Sequence, residues 1–234
     1  MVFASTCDAG APTPGRLMMV CRIAAVATVF VAASACATER SPAGPSTGGS
    51  TPIIVVLGDS LTSGPGLRRD ETWPALLERR LRAEGYRYTV VNAGVSGDTS
   101  TEALQRLDSA LAPDVRILIV ALGINDGLQG VPVSTLKSNL TKIIERARQR
   151  GISVLLCGME TPPTMGFRYM IDFHNVYPAL AQTYDLPLMP FLLLGVVGRP
   201  ELNQPDGIHP NAAGARVIAN NVWPYLQPML AAGS

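Results

Sequence analysis

The sequence predicts an α/β protein built on a parallel sheet with helices on both faces. Three observations carry this. Strand-like and helix-like segments alternate from about Pro52 onward. The strand-like segments are short, continuous apolar runs, as expected of strands covered on both faces. The chain has 234 residues, enough for one core of ordinary size and too few for two full domains once an N-terminal leader is set aside.

The elements follow in order. Ile53-Ile54-Val55-Val56-Leu57 is a β-branched run and the first strand. Trp73 to Glu84 has helical periodicity and ends at Gly85, a natural C-cap. Tyr88 to Asn92 reads as the second strand, Ser100 to Leu111 as a helix halted before Pro113, and Val115 to Leu122 as the third strand. Val133 to Arg150 is a long amphipathic helix closed by Gly151, followed by a fourth strand over Ile152 to Gly158. Tyr169 to Tyr184 reads as a helix with Pro178 inside it, Leu186 to Met189 as a short fifth strand, and Asn211 to Leu230 as the last helix. In parallel sheets the site lies at the carboxyl ends of the strands, so residues that carry chemistry belong in the loops that follow them.

The N-terminus reads as an address. Arg16 and Arg22 supply a positive n-region before an uncharged apolar stretch from Ile23 to Ala33, and Ala33-Ser34-Ala35 supplies the small residues of a cleavage site. The stretch is short for a membrane span, which takes about 20 residues. Cys36 follows directly, and small residues followed by Cys resemble a bacterial lipobox, although Ala33 stands where Leu is usual. The expectation is a signal peptide within residues 1–35, lipidation at Cys36, a Pro/Gly/Ser-rich tether over 36–51, and a folded domain over 52–234. Plain secretion and an uncleaved anchor are the alternatives, and Met18 or Met19 is an alternative start.

Composition excludes several classes. A formal net charge of +1 supplies no basic field for nucleic acid, and Arg68-Arg69 and Arg79-Arg80 are short enough to be solvated faces. The cysteines Cys7, Cys21, Cys36 and Cys157 lack zinc-ligand spacing and there are only two histidines, so no metal is expected. Cys157 lies in an apolar run and is expected to pack as a small hydrophobe.

Four loops satisfy the strand-end rule. Gly58-Asp59-Ser60-Leu61-Thr62 follows the first strand and puts Ser60 at the mouth of the sheet, although a serine there could equally cap a turn. Asn92-Ala93-Gly94-Val95-Ser96-Gly97-Asp98 follows the second, and the missing side chain at Gly94 would let a backbone N–H approach a ligand, although alone it reads as an ordinary turn. Gly123-Ile124-Asn125-Asp126 follows the third; Asn125 can aim an amide donor into the site or form an Asx-turn. Asp206-Gly207-Ile208-His209 precedes the last helix, where a carboxylate three residues before an imidazole can hold one ring nitrogen and leave the other to act as a base. His174 sits in a helix without such a partner in sequence and reads as structural.

Taken together, these blocks resemble the SGNH, or GDSL, hydrolase superfamily, and most closely its bacterial thioesterase I/lysophospholipase/arylesterase branch. Leu57-Gly58-Asp59-Ser60-Leu61-Thr62, Trp73-Pro74-Ala75-Leu76-Leu77, Val91 to Thr99 and Asp206 to Asn211 carry the likeness over nearly the whole domain. The resemblance implies a flavodoxin-like α/β/α sandwich on a five-stranded parallel sheet. It implies Ser60 as nucleophile, His209 as base, Asp206 as its orienter, and an oxyanion hole from the Ser60 and Gly94 N–H groups and the Asn125 side chain. Ile124 stands where the branch often has Gly, which bears on the acyl pocket. The expectation is a cofactor-free carboxylic-ester hydrolase of the cell envelope that takes small acyl or aryl esters and meets the membrane only through its lipid anchor. Thioesterase or lysophospholipase, carbohydrate O-acetylesterase and a catalytically dead scaffold are the rivals. The Gly-x-Ser-x-Gly elbow of α/β-hydrolases is absent.

Overall fold

The computed structural model describes residues 51–230. The expected signal peptide, Cys36 and the tether up to residue 50 lie outside the described residues, as do Cys7 and Cys21.

Five strands, β1 (Ile53–Gly58), β2 (Thr89–Gly94), β3 (Val115–Ala121), β4 (Ser153–Cys157) and β5 (Leu188–Met189), form one sheet in the order β2-β1-β3-β4-β5. Every pairing is parallel. This is the flavodoxin-like order, in which the chain reverses direction across the sheet between β1 and β3 and a crevice opens at their carboxyl ends. The apolar runs explain the arrangement: Ile54 to Leu57 and Ile117 to Leu122 are fully or almost fully buried, as central strands require. β2 is the edge strand and is largely exposed, with Val91 39% accessible.

The helices are α1 (Ser60–Ser63), α2 (Trp73–Ala83), α3 (Ser100–Gln105), α4 (Leu107–Ala110), α5 (Ile124–Gln129), α6 (Val133–Gln149), α7 (Phe167–Tyr184) and α8 (Ala212–Leu230). α2 packs against α8, and α6 packs between α3 and α7, giving the two outer layers. Each long helix turns an apolar stripe inward, for example Leu136, Leu140, Ile143, Ile144 and Ala147 on α6. Cys157 is fully buried in the core, and burial pushes its thiol up to about 12. It therefore behaves as an inert small hydrophobe.

Three expectations need adjustment. β2 runs two residues beyond Asn92, so Gly94 is its last residue, paired with Gly58, rather than part of a loop. The helix expected over Ser100 to Leu111 breaks at Arg106, where the backbone opens to φ −96°, ψ 4°. The stretches after β1 and β3 are short helices rather than open loops. α7 runs through Pro178 unbroken.

Candidate active site

Ser60 opens α1 immediately after β1. Asp59 is the N-cap: its side-chain Oδ1 accepts from Leu61 N at 2.9 Å, and its carbonyl accepts from Thr62 N and Ser63 N. Gly64 closes the single turn at φ 70°, donating its N–H to Ser60 O. The turn is fastened from behind by buried Trp73, whose Nε1–H donates to Leu61 O at 3.0 Å, and by Asn92, whose Nδ2–H donates to Thr62 O at 2.8 Å. A four-residue helix has no stability of its own. These tertiary bonds are what hold the Ser60 hydroxyl still.

The loop before α8 brings His209 to it. The Ser60 Oγ–His209 Nε2 distance is 3.0 Å, and His209 Nδ1 lies 2.7 Å from Asp206 Oδ2. The other Asp206 oxygen accepts from the backbone N–H groups of Ile208 and His209, each at 2.9 Å. These bonds hold the Asp206 carboxyl down at about 2; the largest contribution is the His209 side-chain bond, followed by the two backbone donors. An ionised Asp206 can only accept, so the imidazole proton sits on Nδ1 and Nε2 is left to accept from Ser60. The Asp-to-His spacing of three works because Gly207 takes φ 70° and folds the loop back on the carboxylate. Gln204, which the motif reading passed over, ties this loop to the one that follows Ser60 and α1. Its Nε2–H₂ donates to Pro65 O at 2.7 Å and to Pro210 O at 3.1 Å, and its backbone N–H donates to His209 O at 2.7 Å.

The donors expected to face an oxyanion divide differently from the sequence reading. Gly94 does not offer its N–H to the cleft, because that group donates to Asn92 Oδ1 at 3.0 Å. Its lack of a side chain serves packing: a Cβ there would collide with Ser63 N and lie 2.9 Å from Asp59 O. Gly94 lets β2 and α1 touch rather than letting a ligand in. Gly97, three residues on, is exposed at φ 89° with open space around it, and among the described residues its N–H has no partner. The segment carrying it is pinned on two sides. Ser96 Oγ lies 2.9 Å from Ser63 Oγ on α1, and Asp98 O accepts from Asn125 Nδ2 at 2.8 Å. Asn125 stands in the first turn of α5, started by Gly123 at φ 123°, where any side chain would strike the Tyr177 hydroxyl. One amide hydrogen of Asn125 is used on Asp98; the second remains for a ligand. The Ser60 N–H is likewise without a partner among the described residues.

Comparison with known proteins decides the family. Residues 56–217 match the model of the GDSL-like lipase/acylhydrolase family. This chain belongs to that family. The GDSL hydrolase is 45% identical over 178 residues to Esterase TesA of Pseudomonas aeruginosa, covering 76% of this chain and 89% of the relative. It is 36% identical to Thioesterase 1/protease 1/lysophospholipase L1 of Escherichia coli strain K12, covering 76% and 84%. A solved structure titled Crystal Structure of TesA superposes with a TM-score of 0.72 at 43% identity, covering 76% of this chain and 99% of that one. The chain is therefore an esterase of the GDSL family, and the five-stranded parallel α/β fold is the family's fold.

Two further features of this GDSL hydrolase bear on the site. Asp126, next to Asn125, is buried and accepts from Ser100 N at 2.8 Å and Ser100 Oγ at 2.5 Å, which fixes α5 to the start of α3. Burial raises its carboxyl above the usual range despite those bonds. His174, read from sequence as lacking a carboxylate partner, has one from another element: Nδ1 lies 2.6 Å from Glu160 Oε1 just beyond β4. The pair belongs to the surface between β4 and α7, not to Ser60. Ile124 is half-buried against the core.

Proposed function

We propose that the protein is an exported serine carboxylic-ester hydrolase working through an acyl-enzyme on short- to medium-chain acyl or aryl esters. The single observation behind this is the relay from Asp206 through His209 to Ser60 at 2.7 and 3.0 Å. A serine hydroxyl becomes a competent nucleophile when a neighbouring base takes its proton. Ser60 attacks the ester carbonyl while His209 Nε2 accepts the hydroxyl proton, and Asp206 stabilises the resulting imidazolium. The oxyanion is met by the Ser60 N–H, the Gly97 N–H and the remaining Asn125 amide hydrogen, so Gly97 takes the place first given to Gly94. The alcohol departs with the proton from His209, and water then repeats the sequence to release the acid.

Acyl selectivity is supported by apolar surface beside Asn125. Met165 packs on Gly130 at the end of α5, and the Tyr169 hydroxyl donates to Val131 O at 2.7 Å, so the segment before α7 rests against α5. Leu128 on α5, Met165 before α7, and Phe167 and Ile171 on α7 remain 41–70% accessible. Thioesters are the second reading, favoured by the likeness to the Escherichia coli Thioesterase 1/protease 1/lysophospholipase L1. The envelope location rests on the apolar leader and on Cys36 as a lipidated N-terminus.

The test is a panel of p-nitrophenyl esters, acyl thioesters and lysophospholipids of graded chain length, with Ser60→Ala as control, together with fractionation of Cys36→Ser. Ser60-dependent turnover peaking on short or medium esters, and release of Cys36→Ser from the membrane fraction, are expected. Full activity in Ser60→Ala would end the mechanism. A Cys36→Ser protein that stays on the membrane would end the anchor.

A further inference from the structure

We infer that Arg106 is a positioning residue for the oxyanion hole, one guanidinium that ties the ends of β1 and β2 to the Gly97-Asp98 segment. The inference rests on the serine-hydrolase reading above. Arg106 stands at the break between α3 and α4, with its side chain only 23% accessible. Its three nitrogens go to three different places. Nη2–H donates to Gly58 O at 2.9 Å, at the end of β1 and two residues before Ser60. Nη1–H donates to Ala93 O at 2.8 Å, at the end of β2. Nε–H donates to the Asp98 carboxylate at 2.6 Å, and Asp98 directly follows Gly97. The carbonyl of that same Asp98 accepts from the Asn125 side chain.

Two of the acceptors adjoin oxyanion donors: Gly58 leads to Ser60, and Asp98 is bonded to Gly97. Asp98 O in turn orients Asn125, and Ala93 O anchors the fork on β2. Among the described residues no other side chain hydrogen-bonds to all three acceptor residues. A planar guanidinium fork can serve three acceptors in fixed directions, whereas an ammonium is a point charge on a flexible stem. Two of the acceptors are carbonyls at the carboxyl ends of β1 and β2, and the third is a carboxylate with 11% of its side chain accessible. Arg106 itself stands at the helix break, the C-cap of α3 and the N-cap of α4 at once. The arrangement is electrostatic preorganisation at one remove: donors must already stand at the oxyanion position, and a misplacement near 1 Å costs roughly 100-fold.

The experiment compares wild type, Ser60→Ala, Arg106→Gln, Arg106→Lys, Asn125→Ala and the Arg106→Gln/Asn125→Ala double variant. It measures kcat and KM on one p-nitrophenyl ester, with urea unfolding of each protein and assays at a temperature where all are folded. Arg106→Gln is expected to lower kcat by about 100-fold and Arg106→Lys by about 10-fold, with KM moving by no more than roughly threefold. Because Asn125 is held through the Asp98 that Arg106 pairs with, the double variant is expected to be clearly less impaired than the product of the single losses. A purely structural arginine would shift the unfolding midpoint and leave kcat of the folded fraction within about twofold, and that result overturns the inference. Full multiplicativity of the double variant, or failure of both Arg106 variants to fold, also overturns it. A wild type without Ser60-dependent turnover would instead remove the serine-hydrolase reading, and this inference with it.

Discussion

Asp59→Asn tests whether the fold holds a neutral acid beside the nucleophile. Asp59 is wholly buried and caps α1 through Oδ1; its Oδ2 has no partner among the described residues, nor does the neighbouring Thr62 hydroxyl. Burial pushes its carboxyl up to about 7, the Leu61 N–H opposes this, and the charges of Asp126 and Asp98 add to it. Arg106 faces the same region but is committed to Asp98. A carboxyl raised above its unfolded value near 3.8 favours folding while protonated in both states, and that advantage is lost as pH climbs through the folded value. At 1.36 kcal/mol per unit, wild type should lose on the order of 4 kcal/mol between about pH 4 and pH 7 from this group, and little more above. Asparagine keeps the Oδ1 cap and cannot ionise. Urea unfolding of both proteins from pH 4 to 9 is the assay, because every other titration is shared and cancels in the difference. The stability of Asp59→Asn relative to wild type should rise across pH 4–7 and flatten beyond pH 8. A difference that stays constant, or that falls with pH, would show that Asp59 is ionised throughout and refute the argument.

Gly94→Ala should destabilise the fold by roughly 1–3 kcal/mol through its collision with α1, seen as a lower urea midpoint; an unchanged midpoint would undo the packing role given to Gly94. Asn125→Ala should lower kcat by about 100- to 1,000-fold with KM little altered, and a change confined to KM would remove Asn125 from the oxyanion hole. Asp206→Asn should lower kcat by roughly 100- to 10,000-fold, the loss expected when the imidazole tautomer is no longer held. The stability contributed by the Asp206 carboxylate should be present above about pH 4 and be lost as pH falls toward 2, so wild type and Asp206→Asn should converge there; a circular-dichroism acid titration in which their difference stays the same from about pH 5 to pH 2 would contradict the pairing.

The strands were legible because burial on both faces leaves a one-dimensional mark. Ile54 to Leu57 and Ile117 to Leu122 cannot be anything polar without breaking the core. The Asp206–His209 pair was legible because its geometry is local, four residues folded on one carboxylate. What sequence did not reveal depends on contacts between segments far apart in the chain. Gly94 and Gly97 look alike in a row of seven residues. Only the register that pairs Gly94 with Gly58, and the approach of α1 to it, show that one glycine is packing and the other is open. The one available signal was that Ala93-Gly94 continues the strand while Ser96-Gly97-Asp98 is turn chemistry. The helix break at Arg106 was hidden for the same reason, since nothing in Leu104 to Leu107 disfavours a helix and the arginine's acceptors lie on β1, β2 and the loop after it. The Glu160 partner of His174 sits fourteen residues away on another element. Pro178 costs α7 a backbone donor, yet the helix passes through it, with Phe173, Val176, Tyr177 and Leu180 buried in the core on both sides.

In the proposed mechanism Ser60, activated by His209, forms the acyl-enzyme. An alkyl phosphonate ester that reacts only with activated serines tests it most directly, with the adduct located by peptide mass spectrometry and hydrolysis followed in parallel. One adduct per chain on Ser60, loss of activity in step with labelling, and no labelling in Ser60→Ala or His209→Ala are predicted. A stoichiometric adduct on any other residue, or undiminished hydrolysis once Ser60 is fully labelled, would contradict it.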